Sequence, residues 1–114
     1  MIKQRYDFDE VRKIYQENQK QLDNLVQNIV QLSCENGQTI ATAESCTGGM
    51  IAQRITNVSG SSEVFGFGLV TDWEQAKAKM VGVDPAVIAK YNVVSAPVAA
   101  QMALGAAETA GADI

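Results

Sequence analysis

Ser45, Cys46, Thr47, Gly48 and Gly49 stand in one unbroken run, with Glu44 directly before them. Two hydroxyls, a thiol and two glycines in five residues are more than a simple turn needs. Ser45 reads as a candidate nucleophile, and the N–H groups around Thr47, Gly48 and Gly49 as a cradle for an oxyanion or a phosphate. Glycine at such a place lets a ligand approach the backbone closely. The competing reading makes Ser45 and Thr47 helix caps and the glycines a turn. Cys46 is a rival nucleophile, but with no histidine beside it, it reads better as a small buried side chain. Glu44 either orients or polarises the site or is an exposed carboxylate at a strand end.

The chain has no histidine. That excludes Ser-His-Asp and Cys-His catalysis and every histidine-ligated metal. Two lone cysteines do not make a thiolate zinc site, so no metal is expected; the sequence shows no cofactor motif either, and none is expected. The base for a nucleophilic serine must then be lysine, tyrosine or a carboxylate. Lys77 is the candidate, because an unprotonated lysine can take the serine proton. With Trp73 taken as a core-facing anchor, Lys77 lies four residues on, on the same helix face, and Lys79 lies opposite. The alternative is a solvated surface lysine. Asp72 has a structural explanation of its own: with Gln75 three residues later it fits a capping box.

The elements that must position these groups alternate. Residues 1–6 read as a frayed lead-in. Asp7 and Glu10 have capping-box spacing and open a long helix that Asn36-Gly37 stops. Its stripe, Val11, Tyr15, Asn18, Leu22, Leu25, Ile29 and Leu32, repeats by fours and threes. That stripe packs on its own domain, or its exposed first half pairs with another subunit. Thr39 to Ala43 predicts a buried strand and Met50 to Ile55 a helix, joined by the serine turn. Val64 to Thr71 predicts a second strand, followed by helices over Trp73–Met80, from Pro85 to Tyr91, and from Ser95-Ala96-Pro97 onwards. The last is rich in alanine, which calls for close packing. Gly111-Ala112-Asp113-Ile114 reads as a helix end leading into another strand. Strand and helix in alternation predict an α/β layer fold. Two clear strands are few for such a sheet, so a partner chain or a longer protein is expected to complete it.

At 114 residues this is one domain. A net charge of -4 argues against a nucleic-acid surface. No apolar run is long enough for a membrane span, and no apolar segment follows the first five residues as in a secretory leader. With two cysteines and no disulfide framework, the cytoplasm is the expected compartment.

From Ala43 to Gly49 the run Ala-Glu-Ser-Cys-Thr-Gly-Gly resembles the signature of the CinA C-terminal domain family, the nicotinamide-nucleotide amidases. The resemblance continues through Ile55–Ser62, Phe67–Thr71, Lys77, Val81-Gly82-Val83, Val94-Ser95 and the last helix up to Ile114. It covers roughly residues 25–114 and leaves 1–24 as an N-terminal helical extension. What it implies is hydrolysis of the carboxamide of nicotinamide mononucleotide to nicotinate mononucleotide and ammonia, with Ser45 as nucleophile assisted by Lys77. Glu44, Thr47, Gly48, Gly49, Gly68 and Thr71 lie in the matching segments as expected substrate-binding residues. The implied fold is three-layer α/β/α with a mixed, largely parallel sheet, here preceded by a long N-terminal helix. Members need no metal for this reaction and are usually oligomeric, so a homo-oligomer is expected, with the N-terminal helix as one route to it.

Two departures stand out. The family carries a tyrosine after the threonine matching Thr71, and here that third catalytic position is Asp72. A carboxylate near neutral pH cannot donate a proton as a phenol does, and close to Lys77 it would hold the amine protonated. The family also continues past the segment matching Ala112-Asp113-Ile114 with more strands and a glycine- and proline-rich loop. Both lead to the expectation of weak amidase activity. The alternative is a catalytically silent relative, a nucleotide-binding or assembly module.

Overall fold

In a computed structural model of the chain the described residues are 7–114. The lead-in expected over residues 1–6 lies outside them. Asp7 opens the first helix, α1 (Phe8–Asn36), its carboxylate accepting from the N–H groups of Asp9 at 3.0 Å and Glu10 at 3.3 Å. Gly37 closes it in the left-handed conformation, φ 63°, which glycine adopts without a Cβ clash. Between these ends the helix is unbroken, so it runs straight through the boundary placed at residue 24.

β1 (Ile40–Glu44) and β2 (Phe65–Val70) pair in parallel. The crossover between them carries α2 (Met50–Thr56) and a short 3-10 turn at Ser61–Glu63. Side chains alternate across a strand, and here they divide the core in two. Ile40 and Phe65 pack with Val26 and Val30 of α1 and Ile55 of α2. Ala41, Ala43 and Leu69 face the other way, onto Val81, Val98, Met102 and Ala106. Those residues belong to α3 (Glu74–Val81) and α5 (Ala96–Ala110), with α4 (Pro85–Tyr91) alongside. Helices on both faces of a parallel pair give the three-layer α/β/α arrangement.

The later helices start where their caps require. Asp84 accepts from the N–H of Ala86 at 2.9 Å with Pro85 at the first position, and Ser95 accepts from Val98 at 3.4 Å. The small side chains of α5 serve a close crossing with α3. A Cβ on buried Gly105 would lie 1.7 Å from the Val81 carbonyl oxygen, so nothing larger than glycine fits. After α5 the chain turns into a lane beside β1, as expected. Ile114 donates to the Thr39 carbonyl at 3.0 Å and accepts from the Ala41 N–H at 2.8 Å, the pattern of parallel pairing on the edge away from β2.

α1 corrects one reading. Its heptad stripe does not pack on its own domain: Val11, Tyr15, Leu22, Leu25, Ile29 and Leu32 are exposed. Gln19, Val26, Val30 and Ser33 are the covered positions. They lie one residue, about 100°, further round the helix, and that neighbouring face is the one α2 meets. No described helix is long and apolar enough to cross a membrane.

Candidate active site

The two strands end together. Glu44 is in register with Val70, and the Thr71 N–H donates to the Glu44 carbonyl at 2.8 Å. Ser45 and Asp72 therefore leave the sheet side by side at the carboxyl ends of parallel strands, where open α/β sheets bind ligands. The Ser45 hydroxyl donates to Asp72 Oδ1 at 3.3 Å. Lys77, in α3 and only 2% exposed, reaches back to the same point. Its Nζ lies 2.7 Å from the Thr71 carbonyl, 2.8 Å from the Asp72 carbonyl and 3.0 Å from Ser45 Oγ. Three separate segments thus bring Ser45, Asp72 and Lys77 together.

The donor count defines what this cluster can do. An ammonium has three N–H donors, whereas an amine has two and a lone pair. Carbonyls only accept, so in either state Lys77 donates to Thr71 and Asp72. The third direction, on Ser45 Oγ, is the one that changes. As ammonium, Lys77 donates to the serine oxygen while the serine hydroxyl donates to Asp72. As amine, Lys77 offers its lone pair to the serine hydroxyl.

Glu44 is not an exposed strand-end group. It is 3% exposed and caps α2 from within. Its carboxylate accepts from the N–H groups of Ile51 at 2.8 Å and Ala52 at 3.1 Å and from the Thr47 hydroxyl at 2.8 Å. Burial pushes the carboxyl up, but these bonds and one from the Gly49 N–H outweigh it and hold the group below its ordinary value. Thr47 is correspondingly not an α2 cap; it supports the residue that is. The Gly48 N–H donates to the Ser45 carbonyl at 3.0 Å. Of the anion cradle expected of Thr47, Gly48 and Gly49, the Gly48 N–H is therefore taken by the Ser45 carbonyl and the Gly49 N–H by the Glu44 carboxylate. The N–H groups of Cys46 and Thr47 make no hydrogen bond among the described residues.

Other expectations shift as well. Asp72 and Gln75 form no capping box: α3 starts at Glu74 with Trp73 as its cap residue, one residue too late, and the Asp72 carboxylate turns to Ser45. Trp73 is no core anchor, being 74% exposed; its backbone is extended rather than helical, φ -75°, ψ 147°, so helix spacing does not relate it to Lys77. Cys46 is exposed instead of buried, because the chain swings outward before α2 begins. Thr71 is fully buried, and its Oγ1 has no partner. Gly68 lies away from the cluster, where a Cβ would meet Ala52 Cβ and Thr42 Oγ1 at 3.2 Å; it lets α2 lie close on β2.

Ser45, Cys46, Asp72 and Lys77 line one side of a cavity of about 390 Å³, and Val93, Val94, Ser95, Ala99 and Met102 line the other. The apolar wall escaped the sequence reading. Its signal is the apolar pair Val93-Val94 set between the end of α4 and the Ser95 cap, after Asn92 at φ 71°.

A parallel α/β domain with a buried lysine on a strand-end serine defines the class. The family model of the CinA C-terminal domain matches residues 22–114, and the chain belongs to that family. A CinA-like protein of Chlorobaculum tepidum is 47% identical over 103 residues, which are 90% of this chain and 24% of that protein. One of Geobacter sulfurreducens is 50% identical over 93 residues, 81% of this chain and 22% of its own length. The crystal structure of a competence-damaged protein (CinA) superfamily protein from Escherichia coli superposes with a TM-score of 0.78 at 38% identity, over 81% of this chain and 54% of that one. The competence/damage inducible protein CihA of Agrobacterium tumefaciens gives 0.74 at 39% identity, over 76% and 53%. The chain thus spans about a quarter of these curated relatives and about half of these solved chains.

Proposed function

We propose that the domain is an amidase-type site acting on the carboxamide of nicotinamide mononucleotide. The observation that carries this reading is the buried Lys77 amine, held by two backbone carbonyls with its third direction on Ser45 Oγ. In the amine form Lys77 accepts the Ser45 proton as Oγ bonds to the carboxamide carbon. The N–H groups of Cys46 and Thr47, which have no acceptor among the described residues, are the donors offered to the oxygen that becomes negative, the residue after a nucleophile being a usual oxyanion donor. Lys77 then returns the proton to the departing nitrogen, the C–N bond breaks, and ammonia leaves an acyl-serine. Water, deprotonated by the same amine, releases nicotinate mononucleotide and restores Ser45. The apolar wall of Val93, Val94 and Met102 suits the pyridine ring.

A second reading rests on the Ser45–Asp72 bond. Where the Ser45 hydroxyl keeps its proton directed at Asp72 and Lys77 is an ammonium, no base faces the serine and the site binds without turning over. This is the silent nucleotide-binding or assembly module of the same family. Release of ammonia and nicotinate mononucleotide by the purified chain, absent in Ser45→Ala, is the expected result. Release that survives Ser45→Ala overturns the serine mechanism, and ligand binding with no release from either form establishes the silent module.

A further inference from the structure

α1 carries a face that the rest of the chain leaves uncovered. Val11, Tyr15, Leu22, Leu25, Ile29 and Leu32 are between 39 and 62% exposed. Their alternating spacing of four and three keeps them on one side of the helix over its whole length, as in a coiled-coil seam. The charged residues between Asp9 and Asp23 all fall at other positions of the repeat. Asn18 is the one polar member of the stripe, and Gln21 and Asn28 run along its margin. The domain takes the adjacent face through Gln19, Val26, Val30 and Ser33, so the stripe is open without any rearrangement.

The surface relief is that of a helix shaped for a partner helix. Asn18, Gln21, Leu22 and Leu25 line a hollow on α1. They stand at positions i, i+3, i+4 and i+7, the four residues that together receive one side chain of a facing helix. The first part of α1, residues 8–21, precedes the family match at 22, and among them Gln19 alone is partly covered, with Arg54 donating to its side chain. A projecting helix of this kind gains little from propensity alone and is held by packing of its apolar face.

We propose that α1 pairs with α1 of a second copy of this chain as a parallel, two-stranded coiled coil. Leu22 of each copy sits in the hollow of the other. The occupant is a second copy because the stripe is self-complementary: apolar but for Asn18, free of charge, and matched layer for layer with itself. About half-exposed side chains along some 35 Å of helix, with their amide margin, offer on the order of 800 Å² per copy, the size of a standard stable interface. Orientation follows from Asn18. In the parallel arrangement it faces Asn18 of the partner subunit, amide to amide. The antiparallel registers that use the whole stripe set it against Leu22 or Ile29 and leave a desolvated amide unpaired, which is costly.

The mass of the intact chain, measured by sedimentation equilibrium from about 1 to 100 μM, tests this by mass action. The expected mass rises with concentration towards twice 12.2 kDa. Leu25→Lys, an exposed site, weakens the dimer at least about 100-fold while the far-UV spectrum stays helical, and Asn18→Leu strengthens it, since one polar layer costs a coiled coil stability. In a Cys34→Ser, Cys46→Ser background, Asn18→Cys cross-links to itself on mild oxidation. A 12.2 kDa particle at every concentration, or a dimer indifferent to Leu25→Lys, overturns the pairing. A dimer that does not cross-link through position 18 overturns the parallel orientation.

Discussion

Replacing Glu44 by Gln separates its capping duty from any part in chemistry. The substitution keeps shape but trades two acceptor oxygens for one oxygen and an NH2 that faces other donors. In the native chain the carboxylate takes N–H bonds of 2.8 Å and 3.1 Å and a hydroxyl bond of 2.8 Å. A bond to a charged group contributes about 1.5–3 kcal/mol, and a buried donor left unpaired costs about 1–3. A charge at a helix N-terminus adds about 0.3–1. Some of this is offset by the relief of desolvating a neutral amide instead of an anion. The expected net loss at pH 7 is about 2–3 kcal/mol, large against a typical total of about 5–15. In urea that lowers the midpoint by about 1–2 M at an ordinary m-value. The pH dependence has a definite sign. The folded-state carboxyl sits below its ordinary 4.5, so its contribution is complete above 4.5. Under more acid conditions the unfolded chain takes up the proton first. The advantage then shrinks, and it is gone once the folded group is protonated too. Urea midpoints of wild type and Glu44→Gln should therefore converge as pH falls from 7 to 3. Equal midpoints at pH 7, or a gap unchanged by acid, would refute the capping argument. Unchanged stability with lost turnover would return Glu44 to the chemistry.

Asp72→Tyr removes the acceptor that competes for the Ser45 proton and is expected to raise amidase turnover by about 10²-fold, the scale of one general acid–base contribution; a rate no higher than wild type shows that Asp72 is not the limiting group. Gly105→Ala drives a methyl into the Val81 carbonyl and should cost about 3 kcal/mol, read as a lower thermal midpoint; a loss below about 1 kcal/mol would mean that α5 can slide on α3. Thr71→Val removes a fully buried hydroxyl with no partner and is expected to stabilise by about 1 kcal/mol in urea. Destabilisation there would reveal a bound water or ligand on Oγ1.

The element order and the serine turn were legible because each start and stop has a local cause: Asp7, Gly37, Asp84-Pro85 and Ser95 act within a few residues of themselves. The Ser45–Lys77 pair was legible in part. Counting four residues on from Trp73 leads to Lys77, yet a residue just outside a helix does not share its angular phase, and Trp73 points to solvent while Lys77 is buried. Asp72 shows the limit more sharply. A capping carboxylate and a site carboxylate look alike in sequence, and a one-residue shift of the α3 start decides between them. The burial of Glu44 was readable after all: strand alternation sets Ile40, Thr42 and Glu44 on the α2 side. The Val93-Val94 pair is visible locally, but its meeting with Met102 across from Ser45 depends on how α5 crosses the sheet, which no local pattern encodes.

The two glycines of the turn acquire a different purpose from the one their position suggests. Gly48 and Gly49 take φ of 63° and 106°, values that other residues rarely adopt. A Cβ on Gly48 would meet nothing, and one on Gly49 would reach Val70 Cγ2 only at an ordinary 3.6 Å. No neighbouring atom of the chain therefore demands glycine at these positions; the backbone angles do. Those angles fold the turn back so that the first N–H groups of α2 meet Glu44 rather than open solvent. A helix N-terminus neutralised in this way no longer attracts an external anion. The N–H groups left without an acceptor among the described residues are then those of Cys46 and Thr47, next to Ser45 and upstream of both glycines. Glu44, by fixing α2, fixes the turn that presents them.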